Sequence, residues 1–202
     1  MKIKKLTLGE LSANCYLVFD EKSNEGIIID PGDEANYIGE EILSLNFKPV
    51  AIIATHGHFD HLLAANELQL AFNIPFLIHK KDLFLVKRMK ETAQYFLKRK
   101  IIESPPKKIN FITENDDLPC QLKIIWTPGH TPGGICLYSK MDKILFSGDT
   151  LFAEGVGRTD FSYSSSIGLL KSLDKLSRLP QEIKIYPGHG RIFLKETLPQ
   201  II

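Results

Sequence analysis

Thr55-His56-Gly57-His58-Phe59-Asp60-His61 places three histidines and an aspartate within six residues, directly after the apolar run from Val50 to Ala54. Imidazole nitrogens and carboxylate oxygens are the donors that zinc-like borderline cations take, and catalytic sites built from them keep room for water. On an extended backbone His56 and His58, two residues apart, project to the same side. Asp60 and His61 follow at the turn into a helix and reach a second position nearby. Four such groups crowded together without a cation carry a cost, because charged imidazoles repel and buried polar groups need partners.

Working outward, the remaining candidates share one placement. His130 lies in Trp126-Thr127-Pro128-Gly129-His130, Asp149 in Phe146-Ser147-Gly148-Asp149-Thr150, and His189 in Tyr186-Pro187-Gly188-His189-Gly190. Each follows an apolar run and sits in a Gly-rich loop, where folds commonly carry ligand-binding groups. Seven donors are too many for one tetrahedral ion and suit two. A natural division gives three histidines to one metal and Asp60 with two histidines to the other, leaving Asp149 to bridge with its two oxygens. His79, after Phe76-Leu77-Ile78, falls outside these loops and reads as a structural or supporting histidine.

Composition sets the frame. The chain has 202 residues, 25 Lys+Arg against 24 Asp+Glu, 44% hydrophobic and 24% charged residues. That is an ordinary globular balance, without the overall field that nucleic acid or an anionic membrane would favour. Cys15, Cys120 and Cys136 are too few for a disulfide framework. No secretion signal or apolar run long enough to span a bilayer is evident, so the cytoplasm is the expected compartment.

Alternating apolar patterns predict short strands within the first thirty residues, including Asn14 to Asp20 and Gly26 to Ile29, then strands at 50–54, 75–79, 122–126, 135–138, 144–146 and 183–186. Helical spacing predicts helices over 35–46, 62–72 and 164–179. One domain over residues 1–202, built from two similar halves, is the economical reading. From Lys80 to Lys108 the chain carries ten basic residues against three acidic ones. Leu83, Val86, Met89, Ala93 and Leu97 predict one amphipathic helix there, ending before Pro105-Pro106. It reads either as a solvated helix or as a lid lending positive potential to an anionic substrate.

The ordered series Asp30, His56-Gly57-His58-Phe59-Asp60-His61, His130, Asp149 and His189 resembles the metallo-β-lactamase-fold hydrolases over essentially the whole chain. The resemblance implies an α/β (α+β) fold, a four-layer αββα sandwich with a dinuclear site at one edge between the sheets. It implies that His56, His58 and His130 bind the first of two divalent metals, Asp60, His61 and His189 the second, that Asp149 bridges them, and that Asp30 supports the ligands from behind. Zinc is the expected metal, with iron or manganese as alternatives.

Within that family, Asn14-Cys15-Tyr16-Leu17-Val18, Gly148-Asp149-Thr150-Leu151-Phe152 and Gly157-Arg158-Thr159-Asp160-Phe161 resemble glyoxalase II (hydroxyacylglutathione hydrolase) and its short bacterial relatives. Glyoxalase II proper continues into a C-terminal helical domain that helps hold glutathione, to which the resemblance does not extend. Its Lys and Tyr glutathione contacts look replaced by Arg158 and Asp160. The implied activity is hydrolysis of a small thioester by a hydroxide held between the metals, with Asp60 and Asp149 as catalytic carboxylates. Arg158 could hold a substrate carboxylate through its planar fork or make a surface contact within its loop. A thiolate leaves without a dedicated acid, since thiols have pKa values near about 8.5. The alternatives within the fold are a mononuclear-iron persulfide dioxygenase and a nuclease, for which only the basic segment offers a surface. Neither a membrane nor a nucleic-acid partner is expected.

Overall fold

The computed structural model describes residues 1–197. Its first sheet is built from β1 (Lys2–Leu8), β2 (Ala13–Phe19), β3 (Glu25–Ile29), β4 (Lys48–Ile53), β5 (Phe76–Ile78) and β6 (Ile109–Phe111), which lie in that spatial order. The β1–β3 meander is antiparallel, and β3 to β6 run parallel. Parallel neighbours need crossovers. Helices α1 (Ala35–Leu45) and α2 (Ala65–Phe72) supply the first two, and α3 (Leu83–Lys87) with α4 (Met89–Leu97) lies in the third.

The second sheet has the order β13-β12-β9-β8-β7, where β7 is Lys123–Trp126, β8 Ile135–Ser139, β9 Ile144–Gly148, β12 Lys184–Pro187 and β13 Phe193–Leu194. Between β9 and β12 come the small hairpin β10 (Leu151–Phe152) and β11 (Gly155–Val156), then α5 (Ser166–Ser177). Ser165 caps α5, its hydroxyl accepting from the Gly168 amide at 3.0 Å.

Strand periodicity explains the layers. Successive side chains on a strand face opposite ways. Cys15 and Leu17 of β2, with Ile28 of β3, pack outward with Ile38, Ile42 and Leu68 of the first helical layer. Their neighbours Tyr16, Val18, Ile27 and Ile29 point inward and meet Ile135, Leu137, Ile144 and Phe146 of the second sheet. On that sheet's far side Cys136, Leu145 and Ile185 pack against Leu169, Leu173 and Leu176 of α5. Helices, sheet, sheet and helix follow in that order, the expected αββα sandwich.

Two expectations are corrected. The single helix across the basic segment is two, broken at Arg88, whose backbone (φ −95°, ψ 6°) is not helical. The second of them ends at Leu97, well short of Pro105, with Lys98 in the left-handed region. The helix expected over 62–72 starts later, α2 beginning only at Ala65 after a 3-10 turn over Phe59–His61 and a further turn at 62–64.

Candidate metal centre

Each expected site residue stands at the carboxyl end of a strand or in the turn just beyond it. Asp30 follows β3, His56 to His61 follow β4, His130 follows β7, Asp149 follows β9 and His189 follows β12. The two sheets present these ends at a common edge. Gly188 is required there, because a Cβ at that position would collide with the Asp149 carboxylate.

Five imidazoles converge, and each has one ring nitrogen tied to protein. His61 Nδ1 donates to Asp30 Oδ2 (3.1 Å), His130 Nδ1 to the Arg158 carbonyl (2.9 Å) and His189 Nδ1 to the Leu11 carbonyl (3.1 Å). Thr55 donates its hydroxyl to Asp30 Oδ2 (2.6 Å), which leaves its oxygen to accept from His56 Nδ1 (3.1 Å). His58 is turned the other way: Nε2 meets the Tyr163 hydroxyl at 2.8 Å and Nδ1 faces His130 Nε2 at 3.0 Å. Carbonyl and carboxylate partners only accept, so they fix the tautomer and leave the opposite nitrogen's lone pair for a cation.

The opposite ring nitrogens face one another and the two carboxylates, His61 Nε2 meeting His189 Nε2 at 3.2 Å, and gather into two groups. His56, His58, His130 and Asp149 bring one donor atom each within 4.8 Å of one another, and so do Asp60, His61 and His189. Asp149 faces both groups. Its Oδ2 lies 3.5 Å from His130 Nε2 and 3.9 Å from His56 Nε2, while Oδ1 lies 3.6 Å from His61 Nε2. His56 Nε2 and Asp149 Oδ1 are buried without any hydrogen-bond partner. Orphaned buried polar atoms are costly, and a cation between these two groups would satisfy both. The donor set fits two divalent metals. Asp30 stands behind this shell, its oxygens taken by the Thr55 amide, the Thr55 hydroxyl and His61.

The two positions differ in protonation. Burial, with the neighbouring His130, pushes His58 down to about 3, and burial with His61 and His58 pushes His56 well below the usual imidazole range. Burial also works against charge on His61, but Asp60, Asp149 and Asp30 outweigh it and push His61 up to about 10. Against the same cost of burial, His61 and His189 keep the Asp60 carboxyl well below the usual carboxylate range. The metal-free chain therefore holds a proton on His61 at neutral pH, and a metal can bind there only by displacing it. The same carboxylates, Asp60 and Asp149, also push His189 up against the cost of burial, so metal affinity at the Asp60–His61–His189 position is expected to rise with pH from neutrality toward about 10, with protons released as the ion binds. At the other position His56 and His58 are already neutral and oppose uptake with no proton of their own. Chelator competition across that range measures both; His189→Ala should remove the pH-dependent phase, and two pH-independent phases would refute this assignment.

Two residues with a part in the site went unassigned in the sequence. Asp82, at the end of a 3-10 turn after β5, is fully buried. It accepts from the Gly57 amide (2.9 Å), the Thr131 hydroxyl (2.7 Å) and the Gly133 amide (2.5 Å). It thus ties the loop carrying His56 and His58 to the loop carrying His130. Its only sequence signal is an acid in a basic run, placed after an apolar strand as Asp30 is. Tyr163 is the second, and nothing in its local sequence connects it with His58. His79 is supporting, as expected: its ring stacks on Trp126 at 5.6 Å.

A cleft of about 610 Å³ opens over the ligands, lined by His58, Asp60, His130, Asp149 and His189 among others. Arg158 lines it too, but its fork is held by Asp160 (Nε–Oδ1 2.7 Å, Nη2–Oδ2 2.5 Å) and its guanidinium lies over Phe161. Of the basic segment only Thr92 and Phe96 reach the cleft, so no cation of that segment lines it. Among the described residues no helix is long and apolar enough to cross a membrane.

Comparison with known proteins agrees with this geometry. The probable metallo-hydrolase YqgX of Bacillus subtilis is 32% identical over 195 residues, spanning 94% of this chain and 90% of its own. Hydroxyacylglutathione hydrolase GloC of Haemophilus influenzae is 35% identical over 195 residues, spanning 94% and 91%. The crystal structure of TTHA1623 in a di-iron-bound form superposes with a TM-score of 0.88 at 32% identity, over 96% of both chains. Residues 8–189, a span that takes in every candidate ligand, match the Metallo-beta-lactamase superfamily, and to that superfamily the chain belongs.

Proposed function

We propose that this chain is a metal-dependent hydrolase acting on thioesters of the hydroxyacylglutathione type. The observation that carries the reading is the convergence of five oriented imidazoles with Asp60 and Asp149 beneath an open cleft. The name of the GloC relative, a hydroxyacylglutathione hydrolase, supports the thioester class. Two divalent cations, zinc or the iron seen in the TTHA1623 relative, supply a water acidified toward neutrality and a Lewis acid for the carbonyl when bound.

The chain's own residues do the remaining work. Asp149 would hold both metal positions in register through its two oxygens, and Asp60 with His61 and His189 would complete the second. Asp30, Thr55, Tyr163 and the carbonyls of Leu11 and Arg158 fix the ring orientations, so little reorganisation accompanies reaction. Burial pushes the Tyr163 phenol up to about 12, so it keeps its proton and serves as an orienting group rather than an acid. Glu154, the other acid lining the cleft beside Asp60 and Asp149, is paired with Arg191 at 2.8 Å. A leaving group that departs unaided suits this site, and a thiolate does. An alkoxide would need a proton donor.

Metal-loaded protein should therefore turn over S-lactoylglutathione far faster than lactones or phosphodiesters. Oxygen uptake with glutathione persulfide, and no thioester turnover by fully metallated protein, would replace this reading with a dioxygenase.

A further inference from the structure

Beyond the metal ligands, the cleft is walled mainly by apolar side chains. Leu11, Phe96, Phe152, Val156, Phe161 and Tyr163 form that wall. Leu11 (44% exposed), Phe96 (48%) and Val156 (45%) leave large apolar surface open at the same site, which single scattered residues would not do. The wall begins at the reacting centre. Phe161 packs edge-on against the His58 ring at 5.2 Å and stacks on Tyr163 at 5.3 Å, the two planes nearly parallel. Phe96 stacks on Phe59, between the ligands His58 and Asp60, at 5.9 Å.

The charges around the cleft point the same way. Glutathione carries two carboxylates, and each needs a cation or water. Arg158 is engaged by Asp160, and Glu154 by Arg191. Among the described residues no Lys or Arg lines the cleft without a carboxylate partner. A charged carrier would keep its water and gain little, whereas an apolar body would cover rings already held in place.

We propose that this cleft selects its substrate through an uncharged aromatic or branched aliphatic body next to the thioester, with the ionic groups of the thiol carrier contributing little. The proposal rests on the thioester reading above. It concerns which part of the substrate is bound, and so it can fail separately from that reading.

Four thioesters test it: lactoyl and mandeloyl groups, each on glutathione and on uncharged N-acetylcysteamine, with rates corrected for alkaline hydrolysis. Phenyl in place of methyl is expected to raise kcat/KM about tenfold or more. Exchanging glutathione for N-acetylcysteamine should change it less than about threefold, with little dependence on salt. Phe161→Ala and Phe96→Ala should each shrink the phenyl preference. A second measurement involves no turnover. S-benzyl-N-acetylcysteamine, a thioether the protein cannot hydrolyse, should bind more tightly than the S-methyl analogue by calorimetry, and Phe161→Ala should narrow the difference. Glutathione thioesters favoured more than about tenfold with a salt-sensitive KM, or equal binding of the two thioethers, would overturn the proposal. Failure of the thioester reading looks different: no turnover of any of the four, with the thioether ranking still in place, which upholds the apolar subsite.

Discussion

Asp149→Asn is expected to lower kcat by about 100- to 1,000-fold while the protein stays folded. Asparagine keeps the shape of the side chain, so Gly188 still accommodates it and the surrounding loops need not move. What changes is charge and donor chemistry. The carboxylate presents one oxygen to His130, His56 and His189 and the other to His61. An amide offers one neutral oxygen and an NH2 that cannot bind a cation. The two metal positions lose their common donor, and metal content should fall below two per chain. Activity, metal analysis and circular dichroism on the same preparation check this together. Near wild-type turnover with two metals bound would remove Asp149 from the bridging role.

Asp82→Ala is expected to destabilise the fold by about 3 kcal/mol or more, a large effect for one substitution outside the ligand set. The two amides and the hydroxyl that Asp82 accepts from are buried around it and would lose their partner together. Burial pushes the Asp82 carboxyl up, and those same three hydrogen bonds oppose the shift only in part. Asp82→Asn, which retains one acceptor, should cost less. Both variants should weaken the metal held by His56, His58 and His130 by about 10- to 100-fold, and the other metal much less. Urea unfolding with chelator competition separates the two effects. Unchanged stability in the alanine variant would mean that water replaces the carboxylate.

The candidate ligand set is legible because its chemistry is local: residue type, short spacing and a preceding apolar run are all visible in His56–His61, His130, Asp149 and His189. The sandwich layers were legible for a similar reason, since alternate residues of the Ile-rich strands separate cleanly between two cores. The break at Arg88 was not, because Leu83, Val86, Met89, Ala93 and Leu97 keep helical spacing across it while the backbone does not. Strand β6 is three residues long and exposes two of them, too little for a periodic signal. Asp82 and Tyr163 act on loops 49 and 105 residues away, which only folding brings near. For Arg158 the partner was two residues away, but spacing alone does not show which way a side chain on a loop turns.

The segment from Arg158 to Tyr163 has two obligations at once. Its backbone carbonyl and its phenol orient His130 and His58, while its rings form part of the substrate wall. Selectivity and metal retention are thus inherited together. A laboratory library that randomises this loop for new substrates should yield mostly variants that shed an ion. The productive route to altered preference runs through Phe152 and Val156, which wall the cleft without a hydrogen bond to any ligand.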